Sequence, residues 1–270
     1  PLALLQAKMA CSFFQTVYPD FDFHLLPLVT TGDKQASWSL QERGGKGLFI
    51  KEIEEALLVG KADIAVHSAK DLPTDMHPEL CIAGYLPRGN SLDVLISRVE
   101  NPTHLATGSP RRRAQAQLLF PNAQFSEIRG NVQTRIRKLV QAEAEGTFLA
   151  AAGLERLGYG NIQGLTLTPL SPAQMVPAVG QGAIAIQCAR SHAARFAPYL
   201  DVATARAVTL ERQFLEQLGG GCQTAFGAHF TGETLHVFHP RIGIEAFHFP
   251  HTTPEAVQKG LQEIVGRCKY

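Results

Sequence analysis

Cysteine is scarce in this chain: there are five thiols in 270 residues, at Cys11, Cys81, Cys188, Cys222 and Cys268. The number is odd, the spacings are wide, and no two make a C-x-x-C pair. That argues against a disulfide framework and against a structural zinc site, and it fits a reducing cytoplasm. The ten histidines contain no H-x-x-x-H pair with a third ligand nearby, so no metal is expected. No apolar run approaches the roughly 18 residues of a membrane span. No signal peptide is visible, and no membrane partner is expected. Charge of one sign is also lacking, since 25 Lys and Arg face 24 Asp and Glu for a net +1. Nothing in that balance favours nucleic acid. Repeats at solenoid periods and low-complexity stretches are absent.

What is present is a 45% hydrophobic chain, enough for more than one domain. Apolar strand candidates alternate with amphipathic helices. Residues 23–29 read as a strand. Residues 52–59 read as a helix with Ile53, Ala56 and Leu57 on one face and Gly60 closing it. Residues 62–66 read as the next strand. This alternation predicts α/β units around a mainly parallel sheet. Two breaker clusters, Pro87-Arg88-Gly89-Asn90-Ser91 and residues 171–182, divide the chain and read as hinges. Gln181 lies in the second, in a Gly-Gln-Gly turn that does not complete a phosphate-loop fingerprint. Residues 33–47 are polar and glycine-containing, a candidate lid.

Several local patterns carry chemistry. His67-Ser68-Ala69-Lys70-Asp71-Leu72-Pro73 follows a strand, where polar residues face a cleft; it also reads as an Asx-type turn ahead of a proline. In Gly108-Ser109-Pro110-Arg111-Arg112-Arg113, Ser109 is a good N-cap and Pro110 suits the first helical position. Arg111 and Arg112 then oppose the helix dipole. That makes sense if an anion joins the free backbone N–H groups; the bland alternative is a solvated basic face. Asn131 likewise caps a helix whose apolar face is Val132, Ile136, Leu139 and Val140, with Arg129 before it and Arg135 one turn in. Guanidinium forks at several separate places predict a substrate with many carboxylates. Finally, Ala207, Leu210, Phe214 and Leu218 recur at helical spacing. Gly219, Gly220 and Gly221 end that helix, the first able to take a left-handed cap, and Cys222 follows on the loop. Free cysteine in such a place is either a presented nucleophile or a small core residue.

Four blocks occur in order: residues 67–73, residues 128–135, Pro177-Ala178-Val179-Gly180-Gln181-Gly182-Ala183, and Gly220-Gly221-Cys222-Gln223. Together they resemble the porphobilinogen deaminase (hydroxymethylbilane synthase) family of tetrapyrrole synthesis, almost end to end. The resemblance implies an α/β chain of three domains. Domain 1 would be 1–87 plus 183–200, domain 2 would be 92–176, and a small α+β domain 3 would be 202–270. The first two would resemble type II periplasmic binding proteins, and the third would carry the cofactor cysteine.

The resemblance implies further that four porphobilinogen molecules are joined head to tail with loss of ammonia. The primer would be a dipyrromethane bound by thioether to Cys222. Asp71 would be the catalytic carboxylate, since loss of ammonia leaves a cation that a fixed anion stabilises. Ser68, Lys70, Thr107, Ser109, Arg111, Arg112, Arg129 and Arg135 would bind the cofactor. Arg156, Gln6, Lys46, Lys51 and Gln181 would bind the substrate. A cytoplasmic monomer with no nucleic-acid partner is expected. Where the family has Ser-Leu, this chain has Ser109-Pro110. The family's first helix is matched by Pro1-Leu2-Ala3-Leu4-Leu5-Gln6-Ala7. The strand before it, with its cofactor-contacting Arg and Ser, is missing here, and trimming ahead of Pro1 is the expected reason. The rival reading is a non-enzymatic anion-binding module that shares the cleft and the arginines.

Overall fold

The computed structural model describes residues 2–28, 50–219, 225–249 and 253–269. Strands and helices alternate along the chain, so the α/β class holds. The chain divides into two units, Pro1–Arg88 with Ala183–Arg206, and Gly89–Gly182 with Ala207–Tyr270. The division at 88/89 falls inside the first breaker cluster and that at 182/183 at the end of the second, whereas that at 206/207 falls within the helix Val202–Leu218.

In the first unit, the strand Ile184–Ala189 lies between Ile64–Ser68 and Leu80–Tyr85, antiparallel to both. Its first five residues are buried. The centre of this sheet therefore comes from the chain's second passage. The helix Leu2–Val17 covers it with Ala10 and Phe14, both fully buried, against Ile184, Ile186 and Phe196. The helix Lys51–Leu58 buries Ala56 and Leu57, and Gly60 at φ +68 closes the turn after it. Residues 23–28 form no strand: they are largely exposed, and Pro27 offers no backbone donor to a ladder. The strand read at 62–66 starts and ends two residues later, at Ile64–Ser68, so it carries His67 and Ser68 itself.

In the second unit, a five-stranded sheet runs in the order Gln124–Ser126, His104–Ala106, Gly146–Ala150, Asp93–Ser97, Thr166–Leu170. A three-stranded antiparallel meander, Gly227–Thr231, Thr234–His239 and Gly243–His248, packs with the helices Val202–Leu218 and Pro254–Lys269. Its core holds Phe214, Leu235, Val237 and Leu261, each with no exposed surface. Gly227 begins the meander where a Cβ would sit 2.7 Å from the Val176 carbonyl, so the backbones pack directly.

The mainly parallel sheet expected from the alternation is not found. Among the described residues, parallel pairing occurs only where His104–Ala106 meets its two neighbours. Every other pairing is antiparallel. Alternation reports the kinds of element; it does not report the direction in which each strand enters its sheet.

Candidate functional site

In the first unit, the strand Ile64–Ser68 hands directly to a single 3-10 turn, Ala69–Asp71. Ser68 is thus the last ladder residue, and Lys70 and Asp71 project from the turn after it. Gln6 on the first helix is 3% exposed and meets Ser68 there. Its Nε2 donates to Ser68 Oγ at 2.9 Å, and Ser68 Oγ donates to Gln6 Oε1 at 3.0 Å. Asp71 is exposed to solvent, and the protein crowded around it still raises its pKa above the ordinary carboxylate value by desolvation. Lys70 and a hydrogen bond from Ser68 act in the other direction and do not cancel it. Behind this turn, His67 Nε2 lies 2.9 Å from Gln187 Oε1 on the central strand. Burial holds that imidazole below its ordinary pKa, against a smaller opposing effect of the Gln187 hydrogen bond. Gln6, Ser68, Lys70 and Asp71 are therefore brought together. Lys51 is exposed at the start of its own helix.

In the second unit, Ser109 caps the helix Pro110–Leu119, its side chain accepting from the Arg112 amide at 3.4 Å, with Pro110 at the first position. Thr107, 3% exposed, accepts from the Ser109 amide at 3.2 Å and shapes the approach. Arg111 and Arg112 are not a solvated face: each is 6% exposed. Both close on Asp93, the first residue of the buried strand Asp93–Ser97. Arg111 Nη1 is 2.7 Å from Asp93 Oδ2, while Arg112 reaches Oδ1 with Nε at 2.9 Å and Nη2 at 2.8 Å. Arg111 Nη1 also donates to the Val176 carbonyl at 2.6 Å, and Arg112 Nη1 to the Phe148 carbonyl at 2.8 Å. Desolvation would raise the Asp93 pKa, but the two guanidiniums overcome it and hold the carboxyl well below the usual range.

Asn131 caps the helix Val132–Val140 by accepting from the Thr134 amide at 2.9 Å. Ile136 and Leu139 are buried on it as read, whereas Val140 is 55% exposed, at the very end of the last turn. Arg135 Nε donates to the Gly130 carbonyl at 2.8 Å. Burial lowers the Arg135 pKa, and the nearby Arg112 charge lowers it further, so the two cations feel one another. Arg129 has an acidic partner close by in sequence. It pairs with Glu127 at 2.8 Å, both side chains 44% exposed.

Arg156 and Gln181 gather at the segments next to the unit boundary. Arg156 Nη2 donates to the Gly182 carbonyl at 2.7 Å, and the Gly89 amide donates to the same carbonyl at 3.1 Å. Gln181, fully buried, donates from Nε2 to the Ser91 carbonyl at 2.8 Å. Glu211, also fully buried, accepts from the Gly180 amide at 2.7 Å and the Phe230 amide at 2.8 Å. The helix Val202–Leu218 ends as expected, with Gly219 at φ +67 in the left-handed region. Cys222 and Lys46 lie outside the described residues, as does the candidate lid at 33–47.

A family model described as "Porphobilinogen deaminase, dipyromethane cofactor binding domain" matches residues 1–196. The chain belongs to the porphobilinogen deaminase family. Relatives bearing that name agree over most of their length. The enzyme of Syntrophomonas wolfei is 41% identical over 250 residues, 87% of this chain and 80% of the relative. That of Buchnera aphidicola (strain APS) is 40% identical over 241 residues, 85% of this chain and 75% of the relative. That of Bacillus subtilis (strain 168) is 39% identical over 239 residues, 84% and 75% respectively. Among solved structures, the periplasmic aliphatic sulphonate binding protein SsuA from Escherichia coli aligns with a TM-score of 0.41 at 11% identity. It covers 80% of this chain and 66% of that one, a likeness too slight to carry an argument.

Within a porphobilinogen deaminase framework, two residues stand out that the sequence reading passed over. Asp93 gathers two of the candidate arginines. Its signal was an acidic residue opening an otherwise apolar run, Val94-Leu95-Ile96. Gly130, at φ +110, sits where a Cβ would meet Thr134 Cγ2 at 2.6 Å. Its freedom lets the chain turn sharply between Arg129 and the Asn131 cap.

Proposed function

We propose that this chain is a transferase that joins four porphobilinogen molecules head to tail, releasing ammonia each time, to form hydroxymethylbilane for tetrapyrrole synthesis. Family membership carries the proposal. The dipyrromethane cofactor named for that family would be attached through the Cys222 sulfur. The donors of the second unit suit such a group: Arg111, Arg112 and Arg135 are three buried or half-buried cations whose one close carboxylate partner among the described residues is Asp93. A pyrrole carboxylate arriving there offsets charge that the protein itself leaves in excess. When bound, the dipyrromethane supplies the primer to which pyrroles are added.

The chain's own residues then have distinct tasks. Ser68, Lys70, Thr107, Ser109, Arg111, Arg112, Arg129 and Arg135 bind the cofactor's polar groups. Arg156, Gln6, Lys46, Lys51 and Gln181 bind the incoming substrate. Asp71 holds an anion beside the carbon where positive charge develops and accepts from pyrrole N–H groups. Its raised pKa brings it nearer the pH at which it must exchange protons. We place the enzyme in the cytoplasm as a monomer, without nucleic acid or membrane. Its domains would be 1–87 with 183–200, 92–176, and 202–270, the first two of the type II periplasmic-binding-protein kind.

Intact mass of protein made in a porphobilinogen-competent host tests the reading. The unmodified chain should carry a two-pyrrole adduct. Cys222→Ser should lack it, and Ser at Cys11, Cys81, Cys188 or Cys268 should keep it. An adduct surviving Cys222→Ser sinks the attachment site. An unmodified chain without any adduct favours an anion-binding module instead.

A further inference from the structure

Arg111 and Arg112 are neighbours on one helix, so their side chains leave it about 100° apart. They also repel. Left alone, two such cations would diverge toward separate partners. Here both are drawn to one point, because Asp93 offers one oxygen to each: Oδ2 to Arg111 and Oδ1 to Arg112. Asp93 itself cannot wander. It has no exposed surface, and it is fixed in the sheet between Ala150 and Leu170 on the adjacent strands. The Val176 and Phe148 carbonyls steady each guanidinium from a second side.

The bonds are unequal in what they leave. Arg112 spends Nε, Nη1 and Nη2 on the protein. Arg111 spends Nη1 alone, twice. Its Nε–Nη2 edge takes no acceptor among the described residues, and that edge is the fork that binds a carboxylate with two parallel bonds.

We propose that Asp93 is a positioning residue for the condensation. By holding Arg111 through Nη1 and Arg112 beside it, Asp93 presents the Nε–Nη2 edge of Arg111 to a carboxylate of the growing pyrrole chain. The proposal rests on the reading that Arg111 binds such a carboxylate. Asp93 touches neither substrate nor cofactor; it acts through the arginines. A mere neutraliser of buried charge would need no particular reach, whereas a positioning residue does.

The test uses Asp93→Asn, which keeps shape and loses charge, and Asp93→Glu, which keeps charge and shifts the oxygens by one methylene. Arg111→Leu and the double variant Asp93→Glu/Arg111→Leu complete the set. Each is given limiting porphobilinogen, and bound pyrroles are counted by native mass spectrometry, alongside kcat, KM and thermal melting. Folded Asp93 variants should raise KM at least tenfold and stall at the same pyrrole count as Arg111→Leu. The double variant should stall no earlier than Arg111→Leu alone, because the two changes remove one function. The idea is overturned if every folded Asp93 variant elongates like the unmodified enzyme, or stalls at a count different from Arg111→Leu. Failure of both single Asp93 variants to fold overturns it too, since Asp93 would then be a folding element. If the unmodified chain binds no pyrroles, the parent reading fails instead.

Discussion

Asp71 poses a problem of one proton. Its folded-state pKa lies above the ordinary carboxylate value because desolvation disfavours the anion. The folded chain therefore binds that proton more tightly than the unfolded chain. Stability contributed by the group is present at low pH and declines as pH rises between the ordinary and the raised value. Above both, the anion is a small cost, screened by the solvent that reaches it. Asp71→Asn should then be at least as stable as the unmodified chain at neutral pH, and its stability should lack that decline. Urea unfolding across pH measures both. Turnover should fall by several orders of magnitude, because a neutral amide cannot stabilise the cation. In the unmodified enzyme, the acid limb of the kcat profile should sit above the ordinary carboxylate pKa. A variant that loses stability and keeps its rate would reverse the assignment of Asp71 from chemistry to structure. Asp93 is the opposite case, a carboxylate held far below its usual range by two guanidiniums. Asp71 was legible through its motif. Asp93 was not, because its partners stand eighteen and nineteen positions away and only the fold closes that gap.

Elements whose determinants are local were the readable ones. The caps at Ser109 and Asn131 follow from a side chain reaching an amide three residues on. The left-handed Gly219 follows from the lack of a Cβ. Strand direction was unreadable, since it depends on where the chain has been between strands. The exposed Val140 was misread because a helical face has no meaning once the helix is ending. The Asn131 cap carries a sharp expectation. Asn131→Ala should cost about 1 kcal/mol, seen as a lower urea midpoint with an unchanged slope. It should also loosen the turn from which Arg129 and Arg135 depart. A change in midpoint below a few tenths of a kcal/mol would mean the cap is redundant with the packing of Ile136 and Leu139.

At the scale of the whole molecule, the chain passes between its two units at 88/89, at 182/183 and again at 206/207, inside the helix Val202–Leu218. Gly182 has φ +87, and a Cβ there would lie 2.6 Å from the Gly89 carbonyl oxygen. Gly158 has a similar φ of +77 with nothing within 4 Å. The pair separates backbone strain from crowding. Gly158→Ala should cost on the order of 1 kcal/mol from conformation alone. Gly182→Ala should cost clearly more, because the Gly89 backbone must also move; equal costs by chemical denaturation would show that the close approach is slack.

The double passage also sets a timetable for synthesis. Ile64–Ser68 and Leu80–Tyr85 emerge early from the ribosome, but the strand that joins them, Ile184–Ala189, is made more than ninety residues later. At about 5–20 residues per second, the wait is on the order of ten seconds. Throughout it, two apolar strand edges have no native neighbour, and before it ends the five-stranded sheet of the other unit has been fully translated. The later-encoded sheet is thus free to fold first, and the N-terminal segment is the stretch of nascent chain that a chaperone has most reason to hold.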